Sequence, residues 1–182
     1  WPWDDSALVP LIVRWPGGVP AGEGSPVLFN TLDFMPTLLG WMDVECPETA
    51  EGTDLGPAIA GQAEGPTSAF LQVIAPFAEQ VEKEWRAVRT NNHTYAETID
   101  GPWLLYDNSA DPDQLDNLVD RAEHATLQTE LKRELDQWLE QTGDSFESRA
   151  WYLDRYGYQV EGKNGAAPYT YALEEPEEGW PP

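Results

Sequence analysis

The segment at residues 9–22, with the sequence VPLIVRWPGGVPAG, constrains the fold more than any other part of the chain. Its apolar run over residues 9–14 predicts a strand buried on both faces, and the Trp-Pro-Gly-Gly turn predicts where the chain leaves a sheet. A buried strand needs neighbours on both sides, yet only residues 1–8 precede it. We therefore expect the chain to start inside an α/β domain whose other strands belong to a preceding segment.

The composition restricts the partners of this chain. A net charge of −23, from 33 acidic and 10 basic residues, excludes a nucleic-acid-binding surface, because phosphate recognition needs clustered Lys and Arg. The same charge disfavours anionic membrane surfaces, and no apolar run reaches the roughly 18 residues of a membrane-spanning helix. Two interpretations of the acidic surface stay open, namely an ordinary soluble protein and a protein adapted to high salt. The single cysteine, Cys46, leaves the compartment open among periplasmic, secreted and cytoplasmic.

The clearest secondary-structure pattern follows residue 66. Aromatic and β-branched residues predict four strands, over residues 67–75, 85–90, 93–99 and 103–107. The short turns at residues 91–92 and 100–101 predict an antiparallel meander. An apolar stripe at helical spacing then predicts a long amphipathic helix that ends at Gly143 and packs on the sheet; its members are Leu127, Leu131, Leu135, Trp138 and Leu139. These elements make residues 67–143 a small α+β subdomain.

The rest of the chain gives weaker patterns. Within residues 1–66 we expect a short strand over residues 27–30, a helix over residues 33–40 and a short helix within residues 51–61. Asp111-Pro112 and Asp120 have the residue types that begin helices. Residues 144–182 are rich in Tyr, Trp, Pro and Glu without a sustained period, which predicts an extended tail fixed by aromatic side chains.

Three separated parts of the chain share residues with one known enzyme family. They are Asp4-Asp5-Ser6 followed by VPLIVRWPG at residues 9–17, then DFMPTLL at residues 33–39, then AVRT, LYD and DPDQLDNL within residues 87–118. In order and spacing they resemble the sulfatase family, in which the second part is Asp-x-x-Pro-Thr-Leu-Leu. The resemblance implies the C-terminal end of an alkaline-phosphatase-like α/β sandwich up to residue 66. It implies next a subdomain with a four-stranded antiparallel sheet and a packed helix.

The resemblance also implies a reaction that this chain cannot perform alone. Sulfatases of this type use a formylglycine made within Cys/Ser-x-Pro-x-Arg, together with Ca²⁺ or Mg²⁺. Cys46 is followed directly by Pro47 and lacks the Arg, so we interpret it as a loop cysteine. The resemblance places the metal ligands in a preceding segment. We therefore expect no catalytic residue, no metal ligand and no bound cofactor in this chain.

A few polar residues are candidates for the rim of a substrate pocket. Asp4, Asp5 and Ser6 precede the predicted strand at residues 9–14 and lie either at the pocket mouth or in an ordinary loop. His93 opens a predicted strand after a tight turn, and is either a plain hairpin residue or a contact at the substrate rim. The carboxylates between residues 107 and 120 lack the spacing of an EF-hand loop, so we interpret them as structural. Gln114 occupies a position at which Glu is common in the family, so this chain differs from the family pattern there.

The function that we expect is therefore that of the C-terminal part of a sulfatase that hydrolyses sulfate esters. Its partners are the preceding catalytic half and a sulfated small molecule or glycan. Two alternatives stay open. One is part of a phosphate or phosphonate hydrolase of the same superfamily. The other is a stand-alone acidic binding module without catalytic activity.

Overall fold

The computed structural model describes residues 1–74 and 83–160. Its helices are α1 (Asp4–Ala7), α2 (Phe34–Trp41), α3 (Gly56–Ile59), α4 (Ala125–Thr142) and α5 (Arg149–Tyr156). Its strands are β1 (Ser68–Val73), β2 (Trp85–Thr90), β3 (His93–Thr98) and β4 (Gly101–Asp107). Short 3₁₀ helices, Thr31–Asp33 and Ala122–His124, precede α2 and α4.

The four strands form one antiparallel sheet in the order β1-β2-β3-β4, which confirms the predicted meander. Residue 75, at the end of the first predicted strand, lies outside the described residues. The β2–β3 turn is closed by Thr90, whose Oγ1 accepts from the backbone N–H of His93 at 2.9 Å. In β4 the register shifts so that Leu104 pairs with Ala96 while Pro102 pairs with Glu97. Trp103 is thus the extra residue of a β-bulge.

One face of the sheet packs against α4. Leu131 and Leu135 of α4 join Val88, Tyr95 and Leu105 in a buried cluster. The other members of the predicted stripe pack at its edge; they are Leu127, Trp138 and Leu139. The helix ends where predicted, because Gly143 adopts φ +66°, a left-handed conformation that suits glycine.

The opposite face of the sheet is covered by the start of the chain. Its buried residues are Trp85, Ala87, Ala96, Leu104 and Tyr106. Trp3 and Trp103 pack against this cluster. The sheet is therefore covered on both faces, although the sequence indicated only the helix that covers one of them.

Residues 1–66 differ from the predictions at two places. Residues 9–14 and 27–30 form no strand, because no other described segment pairs with their backbone and a strand exists only as part of a ladder. Val9 and Ile12 are 75% and 93% exposed. The predicted helices are confirmed, at α2 and α3. Before α2, Asn30 and Asp33 form a capping box.

The helix starts predicted at Asp111 and Asp120 are wrong. Asp111 lies in a turn, where its Oδ2 accepts from the backbone N–H of Asp116 at 2.7 Å. Asp120 has φ +58° and its carboxylate accepts from Gln128 at 3.0 Å. Short polar side chains in such turns compete with the helix for backbone hydrogen bonds.

The prediction of an extended tail over residues 144–182 is also wrong for residues 149–156. Residues 149–156 form α5. Its N-cap is Ser148, whose hydroxyl accepts from the backbone N–H of Trp151 at 3.2 Å. Residues 161–182 lie outside the described residues. The division at residues 66 and 143 stays a prediction.

Leu135→Ala tests the packing of α4 on the sheet. Leu135 is fully buried, so the cavity left by its loss should lower the free energy of unfolding by about 2–5 kcal/mol in urea titrations. Leu115, 84% exposed, provides the matched control, since Leu115→Ala should change it by less than about 0.5 kcal/mol. Equal effects of both substitutions would contradict this packing.

Candidate functional site

A bidentate ion pair joins α1 to the sheet. Arg89, near the end of β2, donates from Nε to Oδ1 of Asp4 and from Nη2 to Oδ2, both at 2.8 Å. The two side chains are only 15% and 16% exposed. A planar guanidinium fits a carboxylate with two parallel hydrogen bonds, which is the strongest common geometry for such a pair. Residues 1–7 are therefore held in a defined position relative to β2.

Gln114 adds a second connection at the same place. Its Oε1 accepts from the backbone N–H of Asp4 at 2.7 Å. Its Nε2 donates to Thr94 Oγ1 at 3.1 Å and lies 2.8 Å from the side-chain amide of Asn108. Gln114 is buried and adopts φ +52°, so its backbone is strained to bring the amide into this position. One side chain thus connects α1 to β3 and to the turn after β4.

A third connection is aromatic. Trp3 donates from Nε1 to the hydroxyl of Tyr106 at 3.1 Å. Its ring meets that of Trp103 edge to face, with centroids 5.5 Å apart and planes at 81°, a favourable arrangement for aromatic pairs. Trp1 contacts Trp3 in turn, at 5.2 Å and 53°.

The structure brings three of the four predicted rim residues together. Asp4, Asp5 and Ser6 share α1, where Asp5 and Ser6 are exposed while the carboxylate of Asp4 is paired with Arg89. His93 opens β3, opposite Asp107 of β4. Because side chains alternate along a strand, His93 lies on the face of Tyr95 and α4, away from Arg89 and α1. Their role at a substrate pocket stays a prediction.

The residues that build this junction were not among the predicted site residues. Arg89 lies in the quoted motif Ala-Val-Arg-Thr and Gln114 in Asp-Pro-Asp-Gln. The sequence pattern that indicates Arg89 is a charged residue in a strand predicted to be largely buried, because such a charge needs a partner. Nothing local to the sequence identifies Asp4 as that partner.

A second buried arginine holds the segment after α4. Arg86, fully buried in β2, donates to both carboxylate oxygens of Asp144 and lies 4.7 Å from the centre of the Phe146 ring. Tyr152 of α5 donates to Asp144 at 2.9 Å. Burial alone would raise the pKa of Asp144, but hydrogen bonds from Arg86, the Phe146 N–H and Tyr152 outweigh it and lower the pKa.

The carboxylates between β4 and α4 serve local structure. Asp107 accepts from the backbone N–H groups of Ser109 and Ala110, and Asp116 pairs with Arg121. In residues 1–74 and 83–160, no group of three or more His, Cys, Asp or Glu side chains is placed to hold a metal ion.

Cys46 is partly buried, and its thiol is not in a disulfide bond. No helix in the described residues has the length and apolar character to cross a membrane.

The described part of the chain contains two grooves of note. The larger, about 400 Å³, includes Tyr95 and Lys132; Tyr95 donates to Glu97 at 2.5 Å, and Glu97 lies 3.7 Å from the Lys132 ammonium. Burial and the Glu97 carboxylate raise the pKa of Tyr95. The second groove, about 260 Å³, is apolar and lies between residues 11–15 and α2. Its exposed lining includes Leu11, Ile12 and Phe34.

Comparison with models of known protein families identifies the family to which the chain belongs. The family model described as "N-sulphoglucosamine sulphohydrolase, C-terminal" matches residues 1–141. The chain belongs to this family. The N-sulphoglucosamine sulphohydrolase C-terminal match covers α1 to α4, and therefore the whole junction between α1 and the sheet.

Curated relatives extend the match over most of the chain. An ulvan-active sulfatase of Formosa agariphila is 41% identical over 172 residues, which is 92% of this chain and 33% of the relative. An N-acetylglucosamine-6-O-sulfatase of Bacteroides thetaiotaomicron is 29% identical over 151 residues, 79% of this chain and 27% of the relative. The chain thus spans about a third of the length of these curated relatives.

Solved structures show the same fold. One, a complex of a protein with its substrate D-glucosamine-2-N,6-O-disulfate, has a TM-score of 0.67 and 28% identity over 74% of this chain and 28% of that one. A phosphonate monoester hydrolase of Silicibacter pomeroyi has a TM-score of 0.57 at 20% identity, over 85% of this chain and 32% of that one. The predicted fold class, the C-terminal part of an alkaline-phosphatase-like sulfatase fold, is confirmed.

Gln114→Ala tests the network around α1. The substitution removes the acceptor of the partly buried Asp4 N–H and the amide group that donates to Thr94 Oγ1. It should lower the free energy of unfolding by about 1–3 kcal/mol, measured by urea titration. Gln141, exposed near the end of α4, is the control. Gln141→Ala should change the free energy of unfolding by less than about 0.5 kcal/mol. A stable Gln114→Ala protein would show that the network contributes little.

The pH dependence of stability tests the Arg86–Asp144 pair. Since the pKa of Asp144 is lowered in the folded state, its contribution is complete above the unfolded value near 3.8 and is lost as the pH falls through the folded pKa. Denaturant titrations from pH 6 to about pH 2 should show a smaller acid-induced loss of stability for Asp144→Asn than for the wild type. Asp154→Asn, on an exposed part of α5, should follow the wild-type profile. Parallel profiles for all three proteins would contradict the pairing.

Proposed function

We propose that this chain is the C-terminal part of a sulfatase that hydrolyses sulfate esters of a sulfated glycan. The observation that supports this most is the 41% identity with an ulvan-active sulfatase over 92% of the chain. The complex with a disulfated glucosamine is of a protein with the same fold, which favours a sugar sulfate as the substrate class.

In this proposal the chemistry belongs to the preceding catalytic half. That half would supply the formylglycine nucleophile and the Ca²⁺ or Mg²⁺ site, which would polarise the sulfate ester. This fits two observations: within the described residues no three His, Cys, Asp or Glu side chains are placed to hold a metal ion, and Cys46 is not in the Cys/Ser-x-Pro-x-Arg motif. We therefore propose that the chain alone is inactive.

The contribution of this chain is then to complete and hold the catalytic domain. The exposed apolar side chains of residues 9–13 and α2 are suited to pack against a preceding catalytic half, because burial of such a surface is favourable. The α1 junction would fix residues 1–7 against the subdomain. Asp4, Asp5 and Ser6 would lie at the pocket rim. The ion pair between Asp4 and Arg89 would keep α1, and with it Asp5 and Ser6, in this position. His93 would reach the rim only from the other face of the sheet.

The large excess of acidic residues favours stability and solubility at high salt concentration. Carboxylates outnumber basic groups 33 to 10, so mutual repulsion is strong in dilute buffer and screened at high ionic strength. We propose that the intact enzyme functions in a saline medium.

The test is sulfate release by the intact protein that contains this chain. Incubation with ulvan, followed by ion chromatography, should detect free sulfate, while residues 1–182 alone should release none. A phosphonate monoester serves as the competing substrate, because the fold is shared with a phosphonate monoester hydrolase. Faster cleavage of the phosphonate would replace the sulfatase assignment, and failure of the intact protein on both substrates would favour a non-catalytic binding module.

A further inference from the structure

Three tryptophans form one aromatic surface beside α1. Trp1, Trp3 and Trp103 contact one another in series, with ring centroids 5.2 and 5.5 Å apart. Their planes meet at 53° and 81°, so none is stacked face to face on another. Trp1 is 42% exposed, and Trp3 and Trp103 are partly exposed. We call these three residues the tryptophan surface.

The tryptophan surface is built by specific features of the backbone. Pro2 is fully buried between Trp1 and Trp3, and the two indoles that flank it contact each other. Trp3 is fixed by its hydrogen bond to Tyr106. Trp103 reaches this face only because it is the extra residue of the β4 bulge. Rings that are fixed before binding lose little conformational entropy when a ligand arrives.

The chemistry of this surface fits a sugar ring. The C–H groups on one face of a pyranose are weakly positive and pack against the negative face of an indole. Asp5 lies two residues from Trp3 and is exposed, so its carboxylate is suited to accept hydrogen bonds from hydroxyl groups. The same carboxylate, in a chain of net charge −23, repels a sulfate group. Burying that carboxylate beneath another protein segment would also be costly.

We propose that the tryptophan surface binds pyranose units of a polysaccharide that carry no sulfate, beside the sulfated unit that is cleaved. This inference rests on the proposed function for the identity of the polysaccharide. Binding at this surface would hold a long chain on the enzyme, while a small sulfate ester would gain nothing from it.

Affinity electrophoresis of the intact protein in gels containing desulfated ulvan tests the surface without using activity. The wild type should be retarded, and Trp103→Ala should weaken the apparent affinity about tenfold. Trp103→Phe keeps a ring and should retain most of the affinity. Trp151, 40% exposed on α5, is close in exposure to Trp1 at 42% but lies outside the surface, and Trp151→Ala should bind as the wild type does.

Kinetics on two substrates provide the second readout. Trp103→Ala should raise KM for ulvan oligosaccharides by a larger factor than it raises KM for 4-nitrophenyl sulfate, because only the oligosaccharide is long enough to reach the tryptophan surface. No retardation of the wild type, or equal retardation of all variants, would overturn the inference. So would a loss of thermal stability in Trp1→Ala and Trp103→Ala with unchanged affinity, because the rings would then pack against protein. Retardation without any sulfate release would refute the proposed function and leave the sugar-binding surface intact.

Discussion

The ion pair between Asp4 and Arg89 is the interaction on which the arrangement of this chain depends. It joins residues 85 positions apart in sequence, at the point where the first segment of the chain meets the sheet. Without it, two charged groups that are mostly shielded from water would lose their partners, a large cost for a small protein. The hydrogen bonds of Gln114 and the packing of Trp3 on the sheet both require α1 to be where the ion pair holds it.

Strand β2 makes an ion pair with another segment on each of its two faces. Arg86 and Arg89 are three residues apart, so they point to opposite sides of the sheet. Arg89 binds the segment before the sheet through Asp4, and Arg86 binds the segment after α4 through Asp144. One strand therefore binds both the segment that precedes the sheet and the segment that follows α4.

The sheet and α4 could be predicted because their patterns are local. β2 has the predicted bounds, Trp85–Thr90, and the leucine stripe of α4 packs as its spacing indicated. The junction could not be predicted, since no local pattern shows that Asp4 meets Arg89 or that Gln114 adopts a positive φ. The strand expected over residues 9–14 is absent because strand formation depends on a partner. Helix α5 was not predicted because residues 149–156 show no sustained apolar period, although Ser148 and Gly157 cap its two ends.

A double-mutant cycle on Asp4 and Arg89 tests the central claim most directly. The free energies of unfolding of Asp4→Asn, Arg89→Met and the double variant should give a coupling energy of about 1.5–3 kcal/mol, because the pair is bidentate and largely shielded from solvent. The exposed pair Asp116–Arg121 serves as the reference cycle and should give a clearly smaller coupling. Additive effects of Asp4→Asn and Arg89→Met would contradict the account, since the two side chains would then not stabilise the protein through each other.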